Sequence, residues 1–190
     1  MKASLRIAQD PAADEVLSTD PFGLVVGMLL DQQFPMERAF AGPAKVLERF
    51  GTLDPGAIAV ADPEEFATLC ATPPAIHRYG RSMAGRIQTL AALVVETYDG
   101  DAERIWTGAS SGTDLVARLE ALPGFGAQKA RIFAALLGKQ LDVRPDGWVE
   151  AIGPYAEPGS YRSVADVVDP ESLEKVRAVK KEAKAAARRA

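Results

Sequence analysis

Residues Leu122 to Asp146 read LPGFGAQKARIFAALLGKQLDVRPD. Gly124 and Gly126 stand two apart behind Pro123, and glycines let a backbone take positive φ and bring its N–H groups close to a ligand. Before them Leu115, Val116, Leu119 and Leu122 recur at helical spacing, and after them Ala130, Phe133, Leu136 and Leu137 do the same. The spacing predicts helix, tight hairpin and helix over about 113–138, with Gly138 ending the second helix. The unfilled N–H groups and positive dipole end of that second helix face whatever the glycines approach, which suits a phosphate without any side-chain charge. An ordinary αα-hairpin whose glycines only close a turn fits the same residues.

Outward from this unit the chain reads as all-α. Five Asp-Pro steps, at 10–11, 20–21, 54–55, 62–63 and 169–170, each join an N-cap acceptor to a residue pre-set for the first helical turn. Alternating β-branched runs are missing, while alanine and leucine abound. The helix opened at Asp20 carries Phe22, Leu24, Val25, Val26, Met28, Leu29 and Leu30, apolar on nearly all sides, and is expected at the centre. Asp31, Gln32, Gln33 and Phe34 follow before Pro35, which favours a loop. Helices are expected around 37–50, interrupted near Pro43 and ended at Gly51, and around 63–71. Met83, Ile87, Leu90, Ala91 and Val94 form a core-facing stripe between Ser82 and Thr97. Asp99 to Gly112 reads as a connector with Trp106 tucked against a helix.

The 190 residues suffice for a real core. The one cysteine, Cys70, excludes an internal disulfide and a four-cysteine iron–sulfur cluster, and the one histidine, His77, reads as a loop residue; no metal site or cofactor is expected. The longest apolar run, Leu24 to Leu30, is too short to span a membrane. The net charge of −4 argues against a nonspecific coater of nucleic acid. Residues 171–190 carry seven cations against three acids, net +4, which leaves −8 for the rest.

The run Leu122-Pro123-Gly124-Phe125-Gly126-Ala127-Gln128-Lys129-Ala130, followed by Asp146, resembles the signature of the helix-hairpin-helix (HhH-GPD) DNA glycosylase superfamily, typified by endonuclease III and the alkyl-purine glycosylases. The resemblance implies a two-lobed helical fold, lobe one about 14–140 with the hairpin and lobe two about 1–13 plus 141–190. It implies a monomer, cytoplasmic and nucleoid-associated, whose partner is duplex DNA containing a lesion. Gly124, Phe125, Gly126 and Lys129 would grip the DNA backbone, and the Leu29-Leu30-Asp31-Gln32-Gln33 segment would supply the wedge, Gln33 with Gln32 beside it, that fills the space left by an everted base. The family aspartate stands 18 residues beyond the position of its strand-cutting lysine, which selects Asp146 over Asp142. That lysine position is here Gln128, and Lys129, turned by about 100° on the helix, is not expected to reach the same pocket.

These residues imply a monofunctional enzyme that hydrolyses the N-glycosidic bond of a damaged or mismatched base, with the missing lysine and cysteines leaning towards alkylated bases. Two plainer readings stand beside it. The glutamines fit equally as caps on the last carbonyls of the buried helix, and Asp146 as the N-cap of the helix near Trp148. A non-catalytic protein that binds distorted DNA through the same hairpin is the competing class.

Overall fold

A computed structural model describes residues 4–189, all helix, turn and loop. In order come α1 (Pro11–Thr19), α2 (Pro21–Leu30), α3 (Met36–Phe40), α4 (Gly42–Phe50), α5 (Pro55–Ala59), α6 (Pro63–Ala71) and α7 (Gly80–Tyr98). Then follow α8 (Arg104–Thr107), α9 (Gly112–Glu120), α10 (Ala127–Gln140), α11 (Trp148–Ile152) and α12 (Pro170–Ala187), with single 3-10 turns at Gly153–Ala156 and Val164–Asp166.

Every Asp-Pro step opens a helix by the same device. Asp10 accepts from the Ala13 N–H, Asp20 from Gly23, Asp54 from Ala57, Asp62 from Glu64 and Glu65, and Asp169 from Ser172. Each cap satisfies at least one of the N–H groups a helix start leaves unpaired, and its loss costs about 1 kcal/mol.

Every residue of α2 from Phe22 to Leu30 is buried, so α2 is the central helix. α1, α3 and α4 pack around it, and α7 lies across α5 and α6. The stripe Met83, Ile87, Leu90, Ala91 and Val94 is buried throughout. The break expected near Pro43 falls at Ala41, between α3 and α4. α9 and α10 form an antiparallel pair backed by α11 and the two 3-10 turns. Trp106 on α8 meets Phe133 of α10 edge-on at 6.1 Å, and one continuous apolar core joins both groups of helices. Residues 1–3, assigned from the sequence to the second lobe, lie outside the described residues.

One expectation is corrected. Gly138 does not end the second hairpin helix, which runs on to Gln140. It is a packing glycine: the Trp148 indole lies flat against its Cα, where a Cβ would overlap the ring, and the Trp148 Nε1–H donates to the Ala134 carbonyl at 2.8 Å. Gly138→Ala should therefore lower stability by about 2 kcal/mol through overpacking, although alanine is the better helix former by roughly 1 kcal/mol. Urea denaturation of the two proteins measures the sign: a stabilised variant would show that the indole can move aside.

Candidate nucleic-acid interface

The hairpin between α9 and α10 contains one left-handed glycine rather than two. Gly124 has φ +84°, while Gly126 is extended at φ −89°, ψ 176° and caps α10 from outside. Phe125 between them points inward: it is 5% exposed, packs on Phe133 at 6.2 Å, and its N–H is taken by the Leu122 carbonyl. A DNA contact by the Phe125 side chain is thus ruled out by burial. The N–H groups of Gly126, Ala127, Gln128 and Lys129 find no acceptor among the described residues, which leaves a donor-lined helix start suited to a phosphate oxygen.

Lys129 is the second correction to the hairpin. Its ammonium does not point to solvent; Nζ donates to the carbonyls of Met28 at 2.8 Å and Leu29 at 3.2 Å. These are carbonyls of the last turn of α2, which the helix itself cannot pair. Gly124 docks on the same place, where an added Cβ would lie 2.7 Å from the Leu29 side chain. The hairpin is thereby fixed against the end of the central helix, directly beside the loop Asp31 to Pro35. Burial lowers the Lys129 pKa to about 8, against the opposing charge of Asp31.

In that loop the two glutamines have different fates. The Gln32 amide is used inside the protein: Nε2 donates to the Leu29 carbonyl at 2.7 Å and Oε1 accepts from Arg86 at 3.3 Å. Gln32 therefore caps α2 and is not a free DNA contact. Gln33 is exposed and held at φ +51°, an uncommon conformation for a residue with a side chain. Its carbonyl accepts from Arg78 at 3.5 Å. His77, 1% exposed, clamps the same loop. Its Nδ1 accepts from the Tyr79 N–H at 3.0 Å, so the ring proton sits on Nε2 and is donated to the Gln32 carbonyl at 2.8 Å. Burial pushes the His77 pKa down and keeps the ring neutral. Phe34 rests on the imidazole at 4.7 Å. Sequence alone makes His77 a loop residue and assigns Arg78 and Arg86 no site role, because their partners lie 45 to 54 residues away.

Asp146 and Gln128 share no hydrogen bond among the described residues. Gln128, in the first turn of α10, donates to the Tyr155 hydroxyl at 3.0 Å. Asp146 is exposed, and its backbone carbonyl accepts from the Gly112 N–H at 2.8 Å, at the start of α9. Next to it Arg144 Nε donates to the Gly138 carbonyl at 2.7 Å. Asp146 is tied by its backbone to the start of α9, and its side chain bonds to no described residue. Nor does it cap α11, whose N-cap is Gly147 without a side-chain bond. A second carboxylate, Asp31, opens the wedge loop directly after α2. Burial raises its pKa, while Lys180 and Lys129 oppose that rise. A cavity of about 430 Å³ framed by Lys139, Trp148, Tyr161 and Asp166 lies beyond the far end of α10, and its Lys139–Asp166 pair is closed at 2.6 Å; it forms no part of this junction.

A buried helix end, a donor-lined hairpin docked on it and an exposed glutamine held at a sharp turn thus stand side by side. Residues 26–190 match the HhH-GPD superfamily of base excision DNA repair proteins, and the chain belongs to that superfamily, whose members are DNA glycosylases. A comparison with curated proteins finds no match. No helix among the described residues is long and apolar enough to cross a membrane, and no group of three His, Cys, Asp or Glu among them is placed to hold a metal.

The Lys129 contact has a pH signature. With a folded pKa of about 8 against 10.5 when unfolded, the folded state releases the proton first. Below pH 8 the burial cost of the charge is present in full; between 8 and 10.5 only the unfolded chain keeps the proton, so stability rises with pH. Relative to Lys129→Met, the wild type should gain stability over that window, by at most about 3 kcal/mol. Parallel denaturation curves at pH 7.5 and 10 measure it; a constant difference would place the ammonium in water.

Proposed function

We propose that this protein is a monofunctional DNA glycosylase that removes a damaged base, of the alkylated class by preference, or a mismatched base from duplex DNA. The observation that carries the proposal is the Lys129 bridge. It locks the phosphate-gripping hairpin to the loop that presents Gln33, so that grip and wedge act on one nucleotide. Eversion of a base costs a few kcal/mol, which insertion of Gln33 and the backbone grip offset. As the glycosidic bond breaks, the sugar takes on oxocarbenium character and needs an anion nearby. The resemblance names Asp146 for that role, and we assign it there: the Asp146 carboxylate is exposed and bonds to no described residue. Gln128 is an amide and forms no Schiff base, and the Lys129 amine is turned into the protein, so the strand is expected to stay intact.

Single-lesion duplexes treated with the protein and then alkali test this reading. Asp146→Asn should slow single-turnover excision roughly a hundredfold, with binding to an abasic duplex unchanged within a few-fold, and Asp31→Asn should leave excision within a few-fold of wild type. The reverse pattern moves the role to Asp31. Gln33→Ala should slow excision and spare abasic-duplex binding, and unchanged excision would remove it from the site. Borohydride should trap no adduct; a trapped adduct lost in Lys129→Ala would make Lys129 a nucleophile and the enzyme a lyase.

Gln128 in place of the family lysine favours a second reading, a non-catalytic protein that recognises distorted DNA. Lesion-selective gel shifts with no alkali-labile sites on any substrate would establish it.

A further inference from the structure

The acidic body of this protein presents its cations unevenly, and α12 shows where they are sent. The helix is seated on the core by Leu173 and Val176 and opened by a reciprocal cap between Asp169 and Ser172. At Arg177 it reaches the end of α3, the helix that follows the wedge loop, and Arg177 donates to Glu37 Oε1 at 2.5 Å. One turn on, Lys180 faces the start of the wedge loop: after the burial that raises the Asp31 pKa, its charge is the strongest influence on that carboxylate. Beyond this point α12 leaves the core, and Lys181 to Lys184 are exposed.

The charges of the overhang share one face. At about 100° per residue, Arg177, Lys180, Lys181, Lys184 and Arg188 fall within an arc of roughly 100°. That arc includes the direction in which Leu173 meets the core, so the face that is apolar over the body becomes basic where the helix passes its edge. Glu171 and Glu182 lie outside the arc. So does Lys175, which is paired with Glu171 at 2.6 Å. On the other flank of the wedge loop stand Arg78 and Arg86, whose guanidinium groups bond to the Gln33 carbonyl and the Gln32 amide and make no ion pair among the described residues.

We propose that the overhang of α12, Lys180 to Arg188, is a track for the DNA backbone that runs beside the wedge loop and holds the duplex while Gln33 is inserted. The proposal rests on the reading of duplex DNA as the substrate. The nine residues of the overhang span about 12 Å, enough to meet two or three phosphates of one strand. The track supplies the sequence-independent attraction that a protein of net charge −4 otherwise lacks.

The test is the salt dependence of binding by the full chain to an undamaged duplex and to the same duplex with one abasic site. In Lys180→Gln/Lys181→Gln/Lys184→Gln the slope of log K against log salt should fall by about 2 to 3, with affinity for both duplexes down roughly tenfold or more at low salt. The ratio of the two affinities should stay at the wild-type value, because wedge and hairpin are untouched, and circular dichroism should match wild type. Lys175→Gln, off the arc, is the control. A triple variant whose slope and affinity equal wild type, or whose loss per charge is no larger than that of Lys175→Gln, overturns the track while leaving the DNA reading in place. A wild type that binds neither duplex overturns the DNA reading and the track with it.

Discussion

The site depends on how the C-terminal end of α2 is satisfied. A helix buried on every side cannot leave its last carbonyls to water, and here each finds a donor within the protein. Gly27 is met by the Asp31 N–H and Leu30 by the Gln32 N–H. Met28 is met by Lys129, and Leu29 by Lys129 and the Gln32 side chain. Two of these donors are long side chains from the elements that would handle DNA. The same bonds that make the central helix tolerable in the core therefore set the distance between hairpin and wedge loop.

That arrangement explains why the wedge loop is stiff although it is short and irregular. Its Gln33 takes a left-handed φ that a side-chain-bearing residue adopts only when its surroundings impose it. The imposing groups come from elsewhere in the chain: neutral His77 on the Gln32 carbonyl, Arg78 on the Gln33 carbonyl, Arg86 on the Gln32 amide. With the loop held at three points and its own side chain bonded to no described residue, Gln33 is presented rather than merely exposed. Burial of His77 keeps its ring neutral, so this clamp is insensitive to pH around neutrality.

Charge is distributed to the same end. Lys129, Arg86, Arg78 and Lys180 gather around Asp31, Gln32 and Gln33, while the acids of the body cap helix starts at Asp10, Asp20, Asp54 and Asp62 far along the chain. A molecule acidic overall can thus offer a locally positive face, because helix capping consumes carboxylates without placing them near the hairpin.

The sequence by itself determined the element order and the identity of the central helix. Asp-Pro caps, the all-apolar run from Phe22 to Leu30 and the stripe from Met83 to Val94 are local signals, written within a few residues of where they act. The hairpin was legible for the same reason. What only the tertiary structure decided depends on contacts between distant segments. Nothing local distinguishes Gln32 from Gln33, and the distinction came from a helix end and Arg86, 54 residues away. Helical rotation carried Lys129 away from the position of Gln128, but only the docking of α10 on α2 showed that its ammonium reaches the α2 carbonyls. Gly138 read as a helix end because its partner, the Trp148 indole, is brought in by the chain's return along α10. Spacing along the chain chose Asp146, and the same return path ties its backbone to Gly112 at the start of α9: a count of residues fixes contour length, and the turn after Gln140 decides where that length is spent.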